Sequence, residues 1–149
     1  MHQTLSGIAM RIVSVSRAGV PVVTYPEEDP MADVVRLHRW DEIALEKVTE
    51  VISRKIVTGA RQMLSQIYLK RGALVPMHKH ESEQLTYVMQ GALRFLVGGE
   101  EAIVREGEVL VIPTWVEHQV EALDDTLTLD LFSPIRQDWL NGTDDYFRR

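Results

Sequence analysis

Between residues 52 and 134 glycines and prolines cut the chain into short apolar stretches, and this punctuation constrains the fold more than any other feature. "ISRKIVTG" stops at Gly59, "RQMLSQIYLKRG" at Gly72, "EQLTYVMQG" at Gly91 and "ALRFLVGG" at the pair Gly98-Gly99. "EEAIVREG", "EVLVIP", "EHQVEAL" and "TLTLDLFSP" then follow in quick succession. Side chains on a strand alternate faces, so such stretches each present one apolar face. Strand-like segments recurring roughly every 8–12 residues indicate an all-β sandwich or barrel rather than strands alternating with helices. The glycine pair is a two-residue hairpin signal.

The ends of the chain read differently. Residues 1–33, with three prolines and an acidic cluster in "VSRAGVPVVTYPEEDP", predict an N-terminal extension or arm. Residues 34–149 predict a single domain, with a strand beginning at Val34 and a turn or one helical turn over 38–48. "IRQDWLNG" (135–142) predicts a short C-terminal helix stopped by Gly142. Residues 1–50 are too long and too apolar a stretch to stay entirely free, and pairing across an open sheet edge would cover them, so a homodimer is expected.

Composition excludes several partners. The net charge is −6 and no Lys/Arg run forms a basic stripe, so neither nucleic acid nor an anionic membrane is expected to bind. One local cation can still attract a small anionic substrate. There is no cysteine, which removes disulfides, thiolate nucleophiles and Cys-ligated metals. No apolar run approaches the roughly 20 residues that span a bilayer. Arg11 and Arg17 interrupt the apolar residues where a signal peptide would have its core, so a cytoplasmic location is expected.

Chemistry concentrates in "HKHESEQLTYVMQG" (78–91). If this segment stays extended, His78, His80 and Gln84 share one face, and Glu81 and Glu83 point away. His118 lies beyond a separate strand and a turn at Pro113. Three imidazoles and one side-chain oxygen suit one divalent transition metal, Ni, Zn, Mn, Fe or Co. An HxH pair taken alone is more often a pair of surface histidines.

The surrounding spacing changes that balance. Residues 72–91 read G-x5-HxH-x3-Q-x6-G, and residues 107–118 read G-x5-P-x4-H. These closely resemble the two motifs of the cupin superfamily, over about residues 50–134 with the motif core at 72–118. The resemblance implies a double-stranded β-helix, the jelly-roll barrel, with a metal held by His78, His80, Gln84 and His118. Two positions depart from the pattern. Gln84 stands where the family usually has Glu, which leaves the ion at formal +2, more weakly held and a stronger Lewis acid. Trp115 stands where the family usually has Gly, so that loop is expected to take a different conformation. Its indole either roofs the cavity or simply packs.

In "TLDLFSPIRQDWLNG" Asp130 and Phe132 share a face opposite Leu127, Leu129 and Leu131. A buried carboxylate needs a partner or a task. Asp130 either pairs structurally with a cation such as Arg136 or acts as general acid/base beside the metal. In the second reading Phe132 stacks on a sugar-like ring and Arg136 grips a carboxylate by its planar fork. Met77, beside His78, is expected at the pocket rim. The Gln ligand followed by D-x-F-S-P-x-R is similar to the small cupins of the pectin-degradation type. That resemblance implies conversion of unsaturated uronates, or a related sugar acid, to a linear keto form. A metal-dependent dioxygenase and a non-catalytic small-molecule-binding module are the alternatives.

Overall fold

Alternation in the sequence becomes inside and outside in the structure. In Thr126–Ser133 the side chains of Thr126, Thr128, Asp130 and Phe132 are buried, while the three leucines between them are half-buried on the other face. The computed structural model describes residues 11–14 and 34–148. The chain divides into two units, 1–43 and 44–149. In the first, β1 (Arg11–Ser14) pairs in parallel with β2 (Val34–Leu37). The rest of the expected arm lies outside the described residues.

The second unit contains β3 (Glu46–Lys47), β4 (Ile52–Thr58), β5 (Met63–Leu69), β6 (Leu74–His78), β7 (Glu83–Gln90) and β8 (Ala92–Val97). These are followed by β9 (Glu100–Arg105), β10 (Val109–Ile112), β11 (His118–Ala122) and β12 (Thr126–Ser133). A short helix α1 (Gln137–Asn141) follows, stopped by Gly142 in the left-handed conformation at φ 67°, and then a 3-10 turn, Asp145–Arg148. Gly98 and Gly99 both have positive φ and turn β8 into β9. Among the described residues no helix is long and apolar enough to cross a membrane.

A closed jelly-roll barrel, the architecture expected above, does not form. The strands make two open sheets, one of six in the order β10-β7-β12-β5-β4-β3 and one of four in the order β6-β11-β8-β9. The connections β5 to β6, β6 to β7, β7 to β8, β9 to β10, β10 to β11 and β11 to β12 each pass from one sheet to the other, but the edge strands β10 and β3 of one sheet pair with neither β6 nor β9 of the other. Among the described residues no ladder closes the two sheets into a barrel. Side chains hold the sheets together instead. Ile52, Met63, Ile67 and Val88 from the larger sheet share one buried cluster with Val75, Leu93, Phe95 and Val120 from the smaller. Gly91 makes the β7–β8 crossing, with φ at +90°. A Cβ there would sit 2.5 Å from the Asp125 carbonyl oxygen, so only glycine fits.

Candidate metal centre

The expected face-sharing of His78, His80 and Gln84 along one extended segment is not how they meet. His78 ends β6 in the smaller sheet, Gln84 lies in β7 of the larger, and His80 sits in the 79–82 link between them. The turn between sheets, not strand alternation, brings the three together. Several bonds hold that link. The Trp115 N–H donates to the His80 carbonyl at 2.8 Å, and the Thr114 hydroxyl donates to the Glu81 carbonyl. The Ser82 hydroxyl donates to the Pro134 carbonyl at 2.6 Å. Trp115 has φ 60°, so it takes up the left-handed backbone itself where a changed loop was expected. Its side chain is 59% exposed, and neither it nor Met77 lines the cavity described below.

His118 opens β11 directly across from His78. One ligand atom from each of the three histidines falls within 4.8 Å of the others. Each ring is oriented the same way. Nδ1 of His78 faces the Pro76 carbonyl, that of His80 the Ser82 carbonyl and that of His118 the Val116 carbonyl, all at 2.8 Å. A carbonyl only accepts, so each Nδ1 carries the proton and each Nε2 turns a lone pair toward the centre. Burial, reinforced by the neighbouring rings and Arg136, lowers His78 to about 3 and His80 to about 4. His118 is lowered too, chiefly by burial. All three are therefore neutral ligands at neutral pH. This is a buried three-histidine cluster of the kind that holds a divalent ion.

Gln84 supplies a test of that fit. Its Nε2 donates to Thr86 Oγ1 at 2.9 Å and reaches Asp130 Oδ2 at 3.4 Å. The amide oxygen is thereby turned toward His80, with Oε1 3.1 Å from Nε2. Two acceptors then face each other, and His118 Nε2 is buried without a hydrogen-bond partner. A cation shared by these atoms satisfies all of them, so the residues fit a metal.

One cavity of about 40 Å³ joins His78, Gln84 and His118 to Asp130, Phe132, Arg136 and Tyr146. Asp130 lies opposite Thr86 in the ladder, and burial raises its carboxyl to about 7 against the opposing pull of the Thr128 and Thr86 hydroxyls and Arg136. Arg136 does not pair with it. Arg136 donates from Nε and Nη2 to Asp138 at 2.9 and 2.6 Å, and from Nη2 to the Tyr146 oxygen at 2.7 Å. Its Nη1 is buried without a hydrogen-bond partner, as is Asp130 Oδ1. Phe132 is 1% exposed and meets His80 and Trp139 edge-on.

Thr86, Thr128, Asp138 and Tyr146 join the site without having been singled out for it. Thr86 shares strand parity with Gln84, and Thr128 with Asp130, so both were within reach of the alternation argument. Tyr146 was not, because nothing local shows that its ring stacks on His78 at 4.2 Å and 7°.

A Cupin domain family model matches residues 66–133. The pectin degradation protein KdgF of Dickeya dadantii (strain 3937) is 31% identical over 103 residues, which cover 67% of this chain and 94% of that protein. The structure of KdgF from Halomonas sp. is 36% identical with a TM-score of 0.64, over 68% of this chain and 94% of that one. An RmlC-like cupin from Shewanella frigidimarina NCIMB 400, 23% identical, superposes with a TM-score of 0.65 over 68% of this chain and 93% of its own, a likeness of fold alone. With its two motifs brought to one centre and this coverage of KdgF, the chain belongs to the cupin family, among its KdgF-like members.

Proposed function

We propose that this cupin is a metal-dependent enzyme that converts unsaturated uronates, or a related sugar acid, to a linear keto form. One observation carries the reading: the three-histidine cluster opens, through His78 and His118, onto a cavity that also holds a buried carboxyl and an unpartnered arginine nitrogen. The likeness to pectin degradation proteins supplies the substrate class.

In this reading His78, His80, Gln84 and His118 would hold one divalent ion, which would supply Lewis acidity to the site. Arg136 meets the substrate carboxylate. Asp130 holds a proton near neutral pH, and opening the ring and ketonising it needs one proton on carbon and the loss of one from the enol hydroxyl. Composition is unchanged, so no co-reactant is needed. Phe132 walls the cavity, and Met77 and Trp115 serve only outside it. Residues 34–149 act as the catalytic domain.

A homodimer is part of the proposal. Val109 and Val111, 55% and 54% exposed, stand beside Tyr87 and Leu85 on the outer face of the larger sheet, an apolar surface that a second copy would cover.

The test is incubation of metal-loaded protein with an unsaturated galacturonate monomer, following loss of its conjugated chromophore. Loss above the spontaneous rate supports the reading. A rate equal to the buffer control refutes it.

A further inference from the structure

The cavity is too small for its proposed ligand. At about 40 Å³ it admits a few waters, whereas pockets for small organic ligands enclose about 300–1,000 Å³. Residues 137–148 contribute to that closure. Trp139, Tyr146 and Phe147 of this segment line the cavity, and Tyr146 lies flat against His78.

Two arginines hold the segment in place. Arg54, 1% exposed, donates from Nη1 to Asp144 at 2.7 Å and carries its guanidinium 4.2 Å above the Trp139 ring. It also donates from Nε and Nη2 to Glu46 at 2.7 and 2.9 Å. Release of Asp144 therefore leaves Arg54 with a carboxylate partner. At the other end the Tyr146 oxygen accepts from Arg136 Nη2 at 2.7 Å and from Trp139 Nε1 at 2.9 Å. Gly142 precedes both contacts in the chain, with positive φ and no atom within 4 Å of where a Cβ would be.

The chemistry of Arg136 shows what the segment displaces. Asp138 occupies Nε and one hydrogen of Nη2. The other Nη2 hydrogen goes to Tyr146, and Nη1 is unpartnered. Nη1 and Nη2 together form the end of the fork that receives a carboxylate through two parallel bonds. The phenol oxygen stands where one of those carboxylate oxygens would be.

We infer that residues 143–148 are a gate, that Tyr146 competes with the ligand carboxylate for Arg136, and that Arg54 and Asp144 are positioning residues that latch the gate shut. This rests on the sugar-acid reading of the cavity only for the identity of the ligand. Opening swings the segment about Gly142, breaks the Arg54–Asp144 and Arg136–Tyr146 contacts, and uncovers His78 and both arms of the fork.

Hydrogen exchange read by mass spectrometry tests the gate without a ligand. In wild-type protein, amides of 143–147 should exchange at least about a hundredfold faster than those of β7 and β12, through local opening. Asp144→Asn should speed that segment a further tenfold or more while β7 and β12 stay as they were. Exchange of the segment together with the sheets, or an equal change everywhere in Asp144→Asn, would overturn the inference. Kinetics with unsaturated galacturonate then test the competition. Tyr146→Phe removes the competing oxygen and should lower KM about fivefold, the worth of one hydrogen bond. An unchanged or raised KM overturns the competition. If no uronate reacts, the sugar-acid reading fails, and the exchange experiment still decides the gate.

Discussion

Gln84 Oε1 and His80 Nε2 stand 3.1 Å apart, two acceptors turned toward one another by the donors and acceptors behind them. That relationship makes Gln84 the most informative residue to change. Gln84→Glu should bind metal more tightly, because an anionic oxygen attracts a dication more strongly than an amide does. It should also be the poorer catalyst, since the added charge weakens the ion's pull on substrate electrons and repels an anionic acid. Calorimetry and kinetics on the same preparation check both parts. Full activity in this variant would remove the argument from neutrality.

Thr86→Val should act one step back. Without the hydroxyl that receives Nε2, the amide is free to turn, and metal affinity should fall by about 10–100-fold, as when other groups that orient a ligand are removed. Chelator competition measures it.

Asp130 carries a sign that can be tested in the metal-free protein. Its folded-state pKa of about 7 lies above the ordinary carboxylate value, so the stability it contributes is present below about pH 4 and lost as pH rises through 7. Asp130→Asn should therefore stabilise the metal-free protein by at least ~1 kcal/mol at pH 8 and much less at pH 4. In the loaded enzyme the same change should leave metal content intact and lower activity by about 10²–10⁴-fold.

The histidines predict the opposite slope. His78 and His80 are depressed to about 3 and 4, so the stability they contribute is present above 6.5 and lost as pH falls toward those values. Protons should compete with metal only near pH 4. Metal affinity measured from pH 7 to 5 should stay nearly level, where an exposed site would lose about tenfold per unit or more below 6.5.

Much of the site was legible in the sequence, though for a reason that needed correcting. The HxH, Gln84 and His118 spacing pointed to one centre, and alternation correctly put Asp130 and Phe132 on the inner face of β12. Parity failed at residues 79–82, because alternation holds only while a strand stays in one sheet, and here the chain changes sheets. Barrel closure was illegible for a similar reason: strand count and glycine turns fit open and closed sheets alike. Arg54 and Asp144 lie 90 residues apart, and no local pattern links them. The stacking of Tyr146 on His78 is likewise a fact of tertiary packing alone.

The central claim is that three histidines and Gln84 hold one divalent ion. The most direct test is elemental analysis of the purified wild-type protein beside the His78→Ala/His80→Ala double variant, with folding of both checked by circular dichroism. One equivalent of a transition metal in the wild type and essentially none in a folded double variant is the predicted result. Full occupancy in the double variant, or a wild type that takes up no metal when offered it, would contradict the account.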